Sequence, residues 1–297
     1  MVGPILVFGR NGQVARELAA VAGDRALVFA GRETLDLANA ETAAGAIDAL
    51  LAEASPSAVI NAAAYTTVDR AEREAQTAFA VNRDAPATMA RSCAARSLPL
   101  VHFSTDYVFD GTLDRPYVEA DPTGPTSVYG ASKLAGEQAV TAAGGSAIIL
   151  RTAWVYSAHG TNFVKTMLRL AADRDEVSVV VDQVGRPTWA RDVARAALLA
   201  VDGLRRDPAL AGLYHLSGPD DASWADLAAE TFALSARRGG PTAQVRPITS
   251  DEYPTPARRP ANSRLDCGKI QTALAWRGRP WRESLAACMN EMELQHP

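Results

Sequence analysis

The sequence predicts an α/β fold with a doubly wound parallel sheet and a smaller C-terminal lobe. Short apolar segments occur at residues 4–8, 26–30, 56–60, 98–103 and 147–150, and longer segments of helical periodicity lie between them. Apolar runs of this length are typical of strands covered on both faces, and the intervening helices indicate crossover connections. A glycine turn between the first strand and the first helix completes a Rossmann-like pattern.

Length and composition limit the classes of function. The 297 residues suffice for one large α/β domain or two unequal ones. We predict an NAD(P)-binding domain at residues 1–151 and mainly a substrate-binding lobe at residues 152–297, with segments that return to the sheet. The net charge is −4 and no basic cluster occurs, so nucleic acid is not expected as a partner.

Further composition features bear on the compartment. No apolar run reaches the roughly 18 residues of a membrane span. The three cysteines form no CxxC motif, which argues against a disulfide framework or a zinc site. A cytoplasmic protein without a membrane partner is therefore expected.

The glycine turn has the spacing G-x-x-G-x-x-A. Gly9 and Gly12 take its first two positions, and Ala15 stands where a third glycine is usual. Glycines in this context let the backbone approach a pyrophosphate, whose charge faces the helix N-terminus. The motif predicts dinucleotide binding, with an ordinary strand–helix turn as the alternative.

The end of the second strand bears on the choice of dinucleotide. Gly31 and Arg32 stand where an acidic residue would bind the ribose hydroxyls of NAD. An arginine there suits the 2′-phosphate of NADP, so the sequence favours NADPH, with NADH as the alternative. Asp36 follows at a position that would meet the adenine, and a capping or turn aspartate is the other interpretation.

Tyr129 and Lys133 are four residues apart in a predicted helix and therefore share one face. A neighbouring ammonium favours phenolate, lowers the pKa of a tyrosine from about 10, and makes it a better general acid. Such a pair is more often solvated, so its chemistry depends on its surroundings. Ser104 and Thr105 follow a strand and are candidate donors to a bound carbonyl, with a capped strand end as the alternative.

Four motifs, at residues 9–15, 61–65, 104–109 and 129–133, occur in the order of the extended short-chain dehydrogenases/reductases, which the chain resembles. The resemblance continues through residues 151–156, 162–163, 182–183, 185–188 and 253–265 and covers nearly the whole chain. Ala15 departs from the usual glycine. Residues 104–109 and 253–265 resemble, more specifically, the members that reduce dTDP-linked ketosugars.

The resemblance implies a role for each matching residue. Tyr129 is expected to be the general acid, and Lys133 to lower its pKa and hold the nicotinamide ribose. Thr105 is expected to hydrogen-bond the substrate carbonyl, with Ser104 as the fallback. The implied substrate-binding residues are Thr105, Asp106, Tyr107 and Trp154, with Arg259 and Asn262 at the nucleotide diphosphate. The implied cofactor-binding residues are Gly9, Asn11, Gly12, Gln13, Val14, Arg32, Asp36, Leu37, Ala63, Ala64, Tyr65, Thr66, Asn82, Tyr129 and Lys133.

The implied reaction is NADPH-dependent reduction of the C4 ketone of a dTDP-4-keto-6-deoxy-L-sugar. Thr105 and Tyr129 would stabilise and protonate the oxygen as hydride arrives. A dehydratase is disfavoured because Asp106 is not followed by a glutamate. Three competing functions stay open: an epimerase that retains NAD, a reductase of another dTDP-4-ketosugar, and a non-catalytic dinucleotide-binding regulatory subunit.

Family analogy adds two weaker expectations. It favours a homodimer, and some members are associated with Mg²⁺ at a dimer contact. Glu17 and Glu291 match that region, but their sequence positions give no ligand spacing. No catalytic metal is predicted.

Overall fold

The computed structural model describes residues 3–292, apart from the side chains of residues 40 and 41. Its strands are β1 (Ile5–Phe8), β2 (Leu27–Ala30), β3 (Ala58–Asn61), β4 (Leu100–Thr105), β5 (Ala147–Thr152), β6 (Val155–Tyr156), β7 (Glu176–Val180), β8 (Val184–Gly185), β9 (Thr188–Trp189), β10 (Gly212–Leu216), β11 (Ala222–Ser223) and β12 (Gln244–Ile248). Its α-helices are α1 (Gln13–Val21), α2 (Ala40–Ala54), α3 (Val68–Ala71), α4 (Ala75–Phe79), α5 (Ala85–Ala95), α6 (Val128–Ala142), α7 (Phe163–Ala171), α8 (Ala190–Arg206), α9 (Trp224–Ala236), α10 (Gly268–Leu274) and α11 (Trp281–Asn290).

The central sheet has six strands in the order β10-β5-β4-β3-β1-β2, and all neighbouring pairs are parallel. The predicted doubly wound α/β fold is confirmed. The chain passes from β1 to β2 on one side and then crosses back to β3 on the other. The strand order therefore reverses between β1 and β3, which is where open α/β sheets bind ligands at their carboxyl edge.

Alternating side chains of β1 build the two faces of the core. Ile5 and Val7 pack with residues of α1, α8 and α10 on one face. Leu6 and Phe8 pack with residues of α2 and α5 on the other. The continuous apolar run of β1 is thus explained by burial of the sheet on both sides.

The second half of the chain contributes to both layers. Strand β10 lies in the central sheet and α8 packs against it, whereas α7, α9 and α11 pack around separate apolar clusters. Three two-stranded sheets, β6 with β9, β7 with β12 and β8 with β11, complete this lobe. Within the described part of the chain, no helix has the length and apolarity needed to cross a membrane.

Candidate active site

A cavity of about 790 Å³ lies at the carboxyl edge of β1, β2 and β3, where the strand order reverses. Most of the residues predicted to bind cofactor line it: Gly9, Asn11, Gly12, Arg32, Asp36, Leu37, Ala63, Ala64, Tyr65 and Thr66. The cavity therefore unites the motifs that follow three separate strands.

The glycine turn meets the needs of a dinucleotide at this cavity. Gly9 has a φ of +103°, and a Cβ there would lie 3.0 Å from the backbone of Ala62, so a side chain is excluded. A Cβ on Gly12 would meet no described atom within 4 Å. Gly12 begins α1 without a capping side chain. The first N–H groups of α1 thus have no capping side chain and follow a residue of the cavity wall, as binding of a pyrophosphate requires.

Two predicted cofactor residues support the turn instead of lining the cavity. Gln13 is turned toward the C-terminal lobe, and its Oε1 accepts a hydrogen bond of 2.9 Å from Asn162 Nδ2. Val14 packs against the apolar cluster beneath the sheet. Their positions in α1 are set by the lobe and the core, which sequence spacing does not reveal.

Asn82 also acts behind the cavity wall. It lies in a π-helical turn, Ala80–Asp84, and is 1% exposed. Its Oδ1 accepts from Tyr65 N at 2.9 Å, and its Nδ2 donates to Tyr65 O at 3.0 Å and to Ser132 Oγ at 2.9 Å. Asn82 therefore links the segment that follows β3 to helix α6. It positions Tyr65 in the cavity wall but does not line the cavity itself.

The end of the cavity at β2 contains a charged residue that sequence reasoning missed. Arg10 lines the cavity, and its Nη1 lies 3.0 Å from Glu33 Oε1. The Glu33 carboxylate folds over Gly31, since a Cβ on Gly31 would lie 2.4 Å from it. Arg10 occupies a variable position of the glycine motif, so no sequence signal marked it. Arg10, paired with Glu33, and Arg32 thus place two guanidinium groups at this end of the cavity.

Tyr129 and Lys133 lie on α6, and both are buried, at 9% and 2% exposure. The interpretation as a solvated surface pair is therefore wrong. Two glycines let α6 approach the sheet this closely. A Cβ on Gly130 would lie 2.2 Å from Tyr107 O, and one on Gly136 would lie 2.0 Å from Asn82 O.

Burial decides the charge of both side chains. It raises the pKa of Tyr129 to about 12, against the nearby Thr105 hydroxyl, which lowers it. It lowers the pKa of Lys133 to about 8, against the attraction of Glu137. The predicted lowering of the Tyr129 pKa is thus wrong for this arrangement, since Lys133 Nζ instead donates to Phe103 O at 2.5 Å. Tyr129 keeps its proton at neutral pH, as a proton donor must.

Thr105 combines the two interpretations offered for it. Its Oγ1 accepts from Tyr107 N at 3.3 Å, which caps a short 3₁₀ turn, and it donates to Asp106 Oδ1 at 2.9 Å. The same hydroxyl lies close enough to Tyr129 to lower the pKa of its phenol. Ser104 points to the opposite face of the strand, where its Oγ is buried without a partner among residues 3–292. Thr105, and not the fallback Ser104, is therefore next to the tyrosine.

Asp106 and Tyr107 complete the wall around Tyr129. Burial raises the pKa of Asp106 to about 6, although the nearby Ser263 hydroxyl and the hydrogen bond from Thr105 oppose it. Tyr107 meets Tyr129 edge to face, with 5.5 Å between the ring centroids. Both predicted substrate residues thus lie beside the predicted acid.

The remaining predicted substrate residues differ in their freedom to bind. Arg259 lies near Tyr107, which it affects electrostatically, and forms a two-pronged ion pair with Asp69 at 2.8 and 3.1 Å. Trp154 has a φ of +50° and stacks on Trp224 with 3.5 Å between centroids. Both are partly exposed.

Asn262 is committed to the fold. Its Nδ2 donates to Leu113 O and Arg115 O, each at 2.8 Å, and its Oδ1 accepts from Arg264 N and Nε. These bonds fill its side-chain capacity. Asn262 ties the late Pro- and Arg-rich segment to the loop before α6, and it is not placed to touch a diphosphate.

Glu17 and Glu291 do come together, but around a cation of the chain itself. Arg191 Nε lies 2.7 Å from Glu17 Oε2, and Arg191 Nη2 lies 2.6 Å from Glu291 Oε2. Residues 3–292 contain no group of three His, Cys, Asp or Glu side chains that could hold a metal ion. The donor set does not fit the Mg²⁺ suggested by analogy.

The fold and the buried Tyr129–Lys133 pair define an oxidoreductase of the extended short-chain dehydrogenase/reductase class. The chain belongs to the family described as the RmlD substrate binding domain, which matches residues 3–294. The resemblance found in the sequence is confirmed.

Relatives and solved structures agree with this assignment. A dTDP-4-dehydrorhamnose reductase of Sinorhizobium fredii is 47% identical over 283 residues, which cover 94% of each chain. One of Burkholderia thailandensis is 41% identical, covering 97% of this chain and 98% of the relative. The crystal structure of a dTDP-4-dehydrorhamnose reductase of Bacillus anthracis in complex with NADP has a TM-score of 0.89 at 31% identity, covering 98% of this chain and 100% of that one.

Proposed function

We propose that this chain reduces the C4 ketone of dTDP-4-dehydrorhamnose (dTDP-4-dehydro-6-deoxy-L-mannose) with NADPH, giving dTDP-L-rhamnose. The observation that carries the proposal is the position of the buried Tyr129 phenol, which packs in one cluster with Tyr65 of the cavity wall and lies near the Thr105 hydroxyl. The relatives described above are named for this activity, and this chain matches them over nearly their whole length.

The bound dinucleotide would supply the hydride, and the chain would handle the proton. Tyr129 donates its phenolic proton to the oxygen that gains charge, and Thr105 hydrogen-bonds to the same oxygen. Lys133 is cationic below about pH 8. Its charge, held at the carbonyl of Phe103, opposes the cost of leaving a phenolate in this buried site.

Two guanidinium groups at the β2 end of the cavity support NADPH over NADH. Arg32 is exposed there, at the end of β2, with Arg10 as a second cation. A guanidinium can bind a phosphate through two parallel N–H donors. The Glu33 carboxylate beside Gly31 is the group that would hydrogen-bond a ribose hydroxyl of NADH.

The variant Arg32→Ala is expected to raise the Kd of NADPH by about tenfold and to leave that of NADH nearly unchanged, since a charge-assisted hydrogen bond contributes about 1.5–3 kcal/mol. Titration of each dinucleotide by quenching of protein fluorescence measures both. Arg16→Ala, an arginine of α1 that does not line the cavity, is the matched control. Equal losses for NADPH and NADH would remove Arg32 as the phosphate ligand.

The function is tested by NADPH oxidation with dTDP-4-dehydro-L-rhamnose freshly made by the preceding enzymes. We expect turnover with this ketosugar and none with a dTDP-sugar that lacks the ketone. Absence of turnover with NADPH binding intact would reject the proposed substrate. Other dTDP-4-ketosugars, tested next, would then separate a reductase of another sugar from a non-catalytic dinucleotide-binding subunit.

A further inference from the structure

The Arg191 cluster joins three elements that are distant in sequence. Glu17 lies in α1, Arg191 in the first turn of α8, and Glu291 directly after α11. Arg191 donates to Glu17 Oε2 through Nε and to both oxygens of Glu291 through Nη1 and Nη2. All three nitrogens of one guanidinium thus bind carboxylate oxygens.

Each of the four carboxylate oxygens of Glu17 and Glu291 accepts a hydrogen bond. Glu17 is 0% exposed, and its second oxygen accepts from Ser157 Oγ at 2.7 Å. The guanidinium of Arg191 also lies over the Trp189 ring, 4.5 Å from its centroid. A carboxylate buried this deeply is stable only beside a compensating cation or strong donors, and here Arg191 supplies the cation.

We propose that Arg191 is a resident cation that takes the place of a divalent metal ion between Glu17 and Glu291. A divalent ion would need those carboxylate oxygens at about 2.0–2.6 Å. They already accept N–H and O–H donors, and the guanidinium would repel a second cation at that distance. The cluster therefore holds the lobe without metal.

The cluster acts on the helix that faces the cofactor. Helix α1 begins at Gln13, directly after Gly12 of the cavity wall, and Glu17 lies about one turn further along. Through Arg191 and Glu291, the end of the C-terminal lobe is fixed to that helix. The hydrogen bond between Asn162 and Gln13 ties the same helix to the lobe again, at its first turn.

Thermal unfolding of the full chain, with EDTA or with millimolar Mg²⁺ or Mn²⁺, tests the proposal. The wild type is expected to have the same Tm in all conditions. Arg191→Gln leaves two carboxylates without their cation, so its Tm is expected to fall by about 5–10 °C in EDTA. Added Mg²⁺ or Mn²⁺ is expected to recover part of that loss.

Two variants serve as controls. Arg191→Lys keeps a cation at the cluster, and its Tm is expected not to respond to metal. Arg195→Gln lies one turn further along α8, where the side chain is 50% exposed and pairs with Asp192 at 3.3 Å. Its Tm is expected to stay close to that of the wild type and to be equal with EDTA and with metal.

Three outcomes would overturn the proposal. One is a wild-type Tm that rises with Mg²⁺ or falls with EDTA. Another is an Arg191→Gln variant as stable as Arg195→Gln, and the third is a loss of Tm that neither metal recovers. If Arg191→Gln does not fold, the wild type is titrated with Mn²⁺ and binding is monitored by electron paramagnetic resonance. Specific binding of Mn²⁺ at this cluster would contradict the proposal, and absence of binding would support it. None of these measurements depends on turnover, so the proposed function can fail independently.

Discussion

Replacing Tyr129 with phenylalanine is expected to lower kcat by about 10²–10⁴-fold, the usual contribution of a general acid. The variant removes one hydroxyl, which carries a proton at neutral pH because burial raises the pKa of Tyr129 to about 12. The ring would keep its edge-to-face contact with Tyr107, so the fold should survive. Steady-state turnover of the ketosugar measures the loss, and NADPH titration is expected to show a nearly unchanged Kd.

The matched control is Tyr214→Phe. Tyr214 lies in β10 at the far edge of the sheet, and its hydroxyl donates to Leu210 O at 2.8 Å. It removes the same group from a buried tyrosine outside the cavity, so kcat is expected to stay near the wild-type value. A Tyr129→Phe variant as active as this control would show that the proton comes from another group.

The sheet could be predicted because a strand that is buried on both faces has a continuous apolar run in its sequence. The five apolar runs predicted as strands are β1 to β5 of the central sheet. The glycine turn follows the first of them, as expected. The sequence between β3 and β4 also predicts one long helix at residues 75–96, where the structure has α4, a π-helical turn and α5. The cause is tertiary, because the turn brings Asn82 to Tyr65 and Ser132, and no local pattern records those partners.

The positions of Tyr129 and Lys133 could be predicted from the sequence, but their pKa values could not. Spacing placed Tyr129 and Lys133 on one helical face, and the structure confirms this. The pKa of each depends on burial and on the carbonyl of Phe103, a partner 30 residues before Lys133. Asn262 likewise lies in residues 253–265, a segment that carries the family resemblance, yet its amide donates to backbone carbonyls about 150 residues away. Sequence spacing reports which face a residue occupies, and it does not report its partners across the fold.

The second large expected effect concerns the ion pair behind Lys133. Glu137 lies one turn beyond Lys133 on α6, and Arg151 in β5 donates to both of its oxygens, at 2.8 and 2.7 Å. The side chains are 3% and 6% exposed for Arg151 and Glu137. Glu137→Gln would leave a buried guanidinium without its counter-charge, which typically costs about 3–5 kcal/mol of unfolding free energy. Urea unfolding measures the loss.

A double variant separates the unpaired charge from the loss of packing. Glu137→Gln combined with Arg151→Met removes both charges, so it is expected to recover much of the stability lost in the single variant. Arg25→Gln, which breaks an exposed pair with Asp202, is expected to cost only about 0–1 kcal/mol. A single Glu137→Gln variant no less stable than Arg25→Gln would mean that Arg151 is stabilised by other groups, such as the Phe109 ring beneath its guanidinium.

Glu137→Gln is also expected to affect the proposed reaction, because Glu137 influences the pKa of Lys133. Glu137 is the group that opposes the lowering of the Lys133 pKa by burial. Without its charge, the pKa of Lys133 would fall further below about 8, so the ammonium would be lost at a lower pH. Turnover by Glu137→Gln, measured under conditions where the variant is folded, is therefore expected to decline from a lower pH than turnover by the wild type. A loss of stability alone would leave the position of that decline unchanged, so the pH profile separates a role in setting the charge of Lys133 from a purely structural one.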